Sequence, residues 1–338
     1  MPIKKGFYVH TNMSDIMFRI LVSDRLSEQG LKRLRNHDNI DLDYQPGLNE
    51  DDLAEAIKNA HGLIIRSGSQ VTARVMDTAE HLRVVGRAGI GVDNIDIPAA
   101  TKRGITVMNT PTANAVTTAE HTIALMMSLA RWIPQATASM KAGKWDKKRY
   151  RGREIADKTL GIIGMGTIGR IVADRAKGLR MRVIASDPVL TEQAASSLGV
   201  ELVELCDLWP QADVITVHTP LTAKTKGLVN DDVVPKLKEG VLLINCARGG
   251  IYDEAAVVRG LDLDHIGGAA FDVYTVEPPE AHNQLVAHDR VICSPHLGAS
   301  THEAQERVAV EIVDQVIAFL QNNEIKNALN VPEDLSKS

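Results

Sequence analysis

The chain has few cysteines, no long apolar run and no massed charge, and each shortage removes a class of function. Its three cysteines, Cys206, Cys246 and Cys293, show no CxxC spacing, and each lies in or beside an apolar stretch. That pattern predicts reduced, buried thiols in a cytosol, and no zinc site or other metal centre. No stretch approaches the ~20 consecutive apolar residues that a membrane span needs. Asp15 interrupts the N-terminal sequence before a signal-like apolar region can form. Residues 1–16 read as a leader and 333–338 as a polar tail. The formal net charge of −5 comes from scattered groups, so no basic face is offered to nucleic acid or to an anionic membrane. Internal repeats and low-complexity segments are missing as well.

What is present fits a soluble globular protein of two domains: 338 residues, 44% apolar and 24% charged. Short runs rich in Val and Ile alternate with segments of helical period, the pattern of parallel strands joined by crossover helices, so the class is α/β. The first third contains four strand candidates, Phe18–Val22, Gly62–Arg66, Leu82–Val85 and Ile105–Asn109. From Lys158 six more follow: Leu160–Gly164, Arg182–Ser186, Val214–His218, Val241–Asn245, Gly268–Asp272 and Val291–Ser294. Six is the count of a full dinucleotide-binding sheet. Between the sets, Ala113–Arg131 has an amphipathic helical period with no proline inside, and Glu303–Leu320 predicts a last helix.

Gly164, Gly166 and Gly169 stand in G-x-G-x-x-G spacing directly after a strand and at the start of a helical segment. Gly164 allows the tight turn, Gly166 lets backbone approach a pyrophosphate, and Gly169 allows close helix–strand packing. The next predicted strand ends near Asp187. A carboxylate there accepts hydrogen bonds from ribose hydroxyls and repels a 2′-phosphate, which favours NAD over NADP.

Three later strand ends carry Arg248 in Asn-Cys-Ala-Arg-Gly-Gly, Glu277 in Val-Glu-Pro-Pro, and His296 in Pro-His-Leu-Gly-Ala. In a doubly wound sheet these ends face the ligand crevice. The ordered set, from the glycine motif to Pro-His-Leu-Gly-Ala, resembles the D-2-hydroxyacid dehydrogenases over nearly the whole chain. The resemblance implies a Rossmann dinucleotide-binding domain, 111–294, inserted into a smaller flavodoxin-like α/β substrate domain formed by 17–110 and 295–332. It also implies NAD as cofactor and a small 2-hydroxy or 2-oxo acid as substrate. His296 would exchange the hydroxyl proton as hydride moves to the nicotinamide. Glu277 would fix its tautomer, and Arg248 would hold the substrate carboxylate. The family's cofactor contacts carry over to Ile90, Thr167, Ile168, Thr219, Pro220, Cys246, Ala247, Asp272, Gly298 and Ala299, beside the glycine loop, Asp187 and His296 itself.

Narrower stretches, among them Val-Val-Gly-Arg-Ala-Gly-Ile-Gly-Val-Asp-Asn and Gly-Lys-Trp-Asp, resemble the phosphoglycerate-oxidising branch of the family. A phosphorylated substrate needs additional cations. The resemblance points to Arg66, with Ser67 and Gly68, to Arg87, and to Lys147 from the Trp145 loop of a second subunit. A homodimer built on Ala113–Arg131 and the Trp145 loop is thereby implied. Two departures stand out: Ser69 where threonine is common, and Arg180 where glycine precedes Met181. Competing readings are a glyoxylate or hydroxypyruvate reductase with the same triad and an NAD-sensing corepressor that binds peptides. The regulatory domains of long forms do not follow Pro332, so feedback by serine is not expected.

Overall fold

A computed structural model describes residues 16–330; apart from Ile16, the expected leader and tail lie outside them. The chain begins β1 (Phe18–Val22), α1 (Glu28–Arg35), β2 (Ile40–Tyr44), α2 (Glu50–Ala56), β3 (Gly62–Ile65), α3 (Ala73–Asp77), β4 (Val84–Arg87), α4 (Ile97–Lys102), β5 (Thr106–Asn109). It continues through α5 (Ala115–Arg131), α6 (Ile133–Lys141), β6 (Thr159–Ile163), α7 (Thr167–Gly178), β7 (Arg182–Ser186), α8 (Glu192–Ser197) and β8 (Glu201–Leu202). Next come α9 (Leu205–Leu208), β9 (Val214–Val217), β10 (Val241–Asn245), α10 (Glu254–Asp262), β11 (Ile266–Phe271), α11 (Gln284–Ala287), β12 (Val291–Cys293) and α12 (His302–Asn322). Helix starts are marked by side chains that accept an orphan N–H, among them Ser27, Asn49, Thr72, Asp96, Asp253 and Thr301. Each such cap stabilises by ~1 kcal/mol.

The described chain divides into two units, 16–114 with 301–330, and 115–300. In the first unit the sheet order is β2-β1-β3-β4-β5, with every pairing parallel. Successive strand residues serve opposite faces, as the two-residue repeat requires. Ile20, Ile64 and Val84 pack with Leu31 of α1 and with Ile312, Val313 and Val316 of α12. Leu21, Leu63 and Val85 pack with Leu53 of α2, Val75 of α3 and Ala99 of α4. Gly86 explains how close α12 comes. A Cβ there would lie 2.6 Å from Val316 and 2.8 Å from Ile312, so the helix rests on bare backbone.

The second unit holds a seven-stranded parallel sheet, order β12-β11-β10-β9-β6-β7-β8. Helices α5 and α7 cover one face through Leu125, Met126, Leu129, Val172 and Ala176. The other face meets Leu208, Val257, Leu261 and Leu285. Successive crossovers run outward in opposite directions from β6 and β9, which makes that junction the topological switch point.

Two strands differ from the sequence expectation, and both are edges. In β2, Ile-Asp-Leu-Asp-Tyr alternates and is buried only in part, unlike the continuous apolar runs of the interior strands. β8 has two residues. The expected helix from Ala113 starts at Ala115. The expectation of three buried thiols is corrected: all three are free, but only Cys246 is buried, because Cys206 and Cys293 border their apolar stretches rather than sit inside them. Ser300 ends the second unit, which places His296 in the unit with the glycine loop.

Candidate active site

The glycine loop occupies the switch point at the end of β6. Gly164 adopts φ 94°, and a Cβ there would stand 2.7 Å from the His218 carbonyl, so only glycine combines this turn with this neighbour. Gly169 lies so close to the Gly164 carbonyl that a side chain would collide with it. Gly166, by contrast, faces open space within 4 Å of where a Cβ would be. It begins α7 beside a cavity of about 460 Å³ lined by Thr167, Arg170 and Ile171. Next to His218 in the chain, Thr219 has a buried Oγ1 with no partner among the described residues. An open cradle at a helix N-terminus, joined to an orphaned hydroxyl, fits a dinucleotide pyrophosphate. Ile168 differs: it packs against the core beneath the loop.

Asp187 stands at the end of β7 and organises this loop. One oxygen accepts from Met165 N at 2.7 Å, and the other from Val189 N at 2.8 Å and Leu190 N at 3.1 Å. His218, at the end of β9, is half-buried, with a buried Nδ1 and with Nε2 3.1 Å from Thr216 Oγ1, and desolvation pushes its pKa down to about 3. It is therefore a neutral polar group at working pH. Pro220 is exposed, and its carbonyl accepts from Thr225.

Arg248 leaves the end of β10 on a loop tied by its own asparagine. Asn245 Nδ2 donates to Arg248 O at 2.8 Å, while its Oδ1 accepts from Ala247 N at 3.0 Å. The half-buried Arg248 guanidinium donates to Ala247 O at 2.6 Å. A side chain at Gly249 would strike the Tyr274 carbonyl, so this loop lies directly against the segment that carries Glu277. Cys246 is buried below, its thiol pushed up to about 12 by burial, which leaves it no nucleophilic role.

Glu277 and His296 meet. His296 Nδ1 lies 2.7 Å from Glu277 Oε2, and the other carboxylate oxygen accepts from Tyr274 N at 3.0 Å. Burial pushes the Glu277 carboxyl up, but the hydrogen bonds from His296 and Tyr274 outweigh it and hold the group below its ordinary value. His296 Nε2 has no partner among the described residues. The residue adopts φ 55°, a left-handed conformation costly for a side chain of this size.

Asp272 explains how that conformation is kept. It is 1% exposed, and its Oδ1 accepts from Ser294 Oγ at 2.6 Å and Leu297 N at 2.7 Å, with His121 Nε2 at 3.2 Å. Oδ2 accepts from Gly298 N at 2.7 Å, and the Asp272 carbonyl accepts from His296 N at 2.9 Å. Burial opposes ionisation, yet these bonds keep the carboxyl below its ordinary value. The residue grips both sides of the histidine, with Ala299 one position beyond. His121 and Ser294 are not signalled in the sequence, because their role depends on a contact between α5 and the end of β12 that no local motif announces.

The remaining candidates divide between the two units. Arg66, Ser67 and Gly68 follow β3, Arg87 ends β4, and Ile90 comes three residues later, all in the first unit. Arg87 Nη1 donates to Ala88 O at 3.1 Å, and the Ile90 carbonyl accepts from Asn109 at 2.7 Å. Lys147 belongs to the second unit, exposed, with Nζ 5.5 Å from the Trp145 ring centroid. Among the described residues no cluster of His, Cys, Asp and Glu could hold a metal, and no helix is long and apolar enough to cross a membrane.

Residues 123–298 match the family model described as D-isomer specific 2-hydroxyacid dehydrogenase, NAD binding domain. The chain is 47% identical over 316 residues to D-3-phosphoglycerate dehydrogenase of Bacillus subtilis, a match covering 94% of this chain and 59% of that one. It thus spans about three fifths of the length of the curated relatives it matches. A solved protein of Thermus thermophilus superposes with TM-score 0.86 at 33% identity, covering 93% of this chain and 100% of the other. D-lactate dehydrogenase from Aquifex aeolicus, solved with NAD and lactic acid, gives TM-score 0.80 at 25% identity over 92% and 98% of the two chains.

Proposed function

We propose that this chain, which belongs to the D-isomer specific 2-hydroxyacid dehydrogenase family, oxidises D-3-phosphoglycerate to 3-phosphohydroxypyruvate, the entry reaction of L-serine synthesis. The observation that carries a dehydrogenase reading is the Glu277–His296 pair. With Nδ1 of His296 donating to the carboxylate at 2.7 Å, the lone pair sits on Nε2. That nitrogen takes the substrate hydroxyl proton, and ionised Glu277 stabilises the imidazolium that forms. NAD, held by the glycine loop, would when bound supply the hydride acceptor for the carbon that bears the hydroxyl.

Arg248, always cationic, holds the substrate carboxylate and draws charge toward the forming 2-oxo group. The glycine loop, Thr167, Thr219, Ala247 and the His296–Ala299 turn hold the cofactor, with Ile90 supplying a further contact. Asp187 faces the adenosine ribose and disfavours a 2′-phosphate. Arg66, with Ser67 and Gly68, Arg87 and Lys147 receive the phosphate end of the substrate. Support for the phosphorylated substrate comes from the phosphoglycerate dehydrogenases that share 42–47% identity with this chain.

The active form is a homodimer in the cytoplasm. Helix α6 has no buried residue, and Ile133, Met140 and Trp145 are 53%, 53% and 73% exposed, a patch that needs cover. Helix α5, by contrast, is occupied with the sheet of its own unit. The test is NAD reduction with 3-phosphoglycerate, run beside NADH oxidation with hydroxypyruvate and with glyoxylate, and repeated on Arg87→Ala. Turnover of phosphoglycerate that the substitution selectively weakens supports the assignment; reaction of the unphosphorylated acids alone replaces it with a reductase.

A further inference from the structure

The first unit contains a second guanidinium beside Arg66, that of Arg25, which has no part in the chemistry above. Arg25 follows β1 as Arg66 follows β3, and these strands are hydrogen-bonded neighbours. Both arginines line an open cavity of about 340 Å³ together with Asp24, Pro46, Gly47, Ser67 and Gly68. The Arg25 side chain makes no hydrogen bond or ion pair among the described residues. That of Arg66 makes one weak contact, Nη1 to the Arg25 carbonyl at 3.5 Å.

The cavity's carboxylate is committed to backbone through one of its oxygens. Asp24 is 8% exposed, and its Oδ2 accepts from Arg66 N at 2.6 Å and Ser69 N at 3.1 Å. Its charge therefore holds the 66–69 turn in shape, while the N–H groups of Ser67 and Gly68 have no acceptor among the described residues. Two guanidiniums without ionic partners, a free hydroxyl and two unpaired amides on one open cavity form a donor set with a surplus of positive charge. A compact oxyanion of high charge matches it.

We propose that Arg25 is a specificity-determining residue: with Arg66 it forms a two-arginine site for a phosphate monoester dianion, setting the preference of this chain for phosphorylated over unphosphorylated hydroxy acids. This rests on the reading of the protein as a phosphohydroxyacid dehydrogenase. A monoester carries about −1.5 to −2 charge at neutral pH, enough to engage both forks, whereas a hydroxyl at the same end of an unphosphorylated acid engages neither strongly.

The test compares wild type with Arg25→Gln, Arg25→Lys and Arg66→Gln. Arg25 is exposed, so its replacement leaves the core intact. For Arg25→Gln the KM for 3-phosphoglycerate rises about tenfold or more, with kcat within twofold, and Arg25→Lys falls between. The KM for D-glycerate, which lacks the phosphate, stays unchanged. Inorganic phosphate as a competitive inhibitor weakens by a similar factor. An unchanged phosphoglycerate KM in Arg25→Gln, with a raised one in Arg66→Gln, overturns the role of Arg25 and leaves the proposed function standing. Equal losses for D-glycerate and phosphoglycerate also overturn it. If wild type does not oxidise phosphoglycerate, the proposed function fails, and calorimetric titration with inorganic phosphate decides the site alone: binding lost in Arg25→Gln sustains it, and no binding removes it.

Discussion

Replacing Asp272 by asparagine separates two roles that this residue could hold. The family resemblance makes Asp272 a cofactor contact, whereas its four hydrogen bonds, to Ser294 Oγ, Leu297 N, His121 Nε2 and Gly298 N, make it the clamp of the His296 turn. Asparagine preserves the size but has one acceptor oxygen. If that oxygen faces Leu297 N and Ser294, the amide nitrogen confronts Gly298 N, and the reverse orientation confronts Leu297 N. Either way a buried donor loses its acceptor, at ~1–3 kcal/mol, and the surviving bonds lose the benefit of a charged acceptor. The expected sum is a destabilisation of about 2–4 kcal/mol, followed by urea unfolding. His296 then leaves the left-handed conformation that its neighbours impose. A displacement near 1 Å lowers kcat on the order of a hundredfold. Initial rates of NADH formation at saturating NAD measure this directly. A variant with wild-type kcat and stability but a raised KM for NAD would refute the clamp and restore the cofactor contact as the dominant role.

Glu277→Gln keeps the size but removes the charge opposite the imidazolium, and lowers kcat by roughly 10–100-fold with little change in the KM for NAD. Because the folded Glu277 pKa lies below its ordinary 4.5, its contribution to stability is present above that value and fades as pH falls through the folded value. Acid unfolding followed by circular dichroism should therefore be shallower in Glu277→Gln than in wild type, and parallel curves would count against the pairing. Arg180 holds φ 61° in the place where a glycine was expected, and its partner Asp157 is 3.5 Å away on an exposed surface. Arg180→Gly should stabilise by ~0.5–1 kcal/mol, read as a rise in Tm, since the relief of left-handed strain exceeds both the weak ion pair and the added chain entropy; a fall in Tm contradicts this. With iodoacetamide at pH 8, exposed Cys206 should label first and Cys246 only on unfolding, as mapped by peptide mass; early labelling of Cys246 would mean that the β10 core opens.

The interior strands could be read from sequence because a strand buried on both faces needs an apolar run, and Val241–Asn245 or Thr159–Ile163 can scarcely be anything else. Edge strands escape that logic: β2 alternates with aspartate because its outer side needs no core. The Glu277–His296 pair and the glycine loop were legible as candidates because the chemistry of each fixes residue types within a short motif. His121, Ser294 and Arg25 were not, since a hydrogen bond across 151 residues or a cavity wall follows only from the fold. The cysteines misled because an apolar neighbourhood along the chain does not imply an apolar neighbourhood in space.

The late position of α12 has a consequence for synthesis. When residue 114 leaves the ribosome, five strands of the first unit exist, but the face of Gly86, Ile20 and Val84 has α1 alone as its cover, and Gly86 lacks Ile312 and Val316 until residues 302–322 arrive. The second unit has by then been translated in full and can complete its own core first. The unit that begins the chain is thus the last to mature, and during that interval it presents bare apolar sheet, the surface on which a holdase chaperone would act.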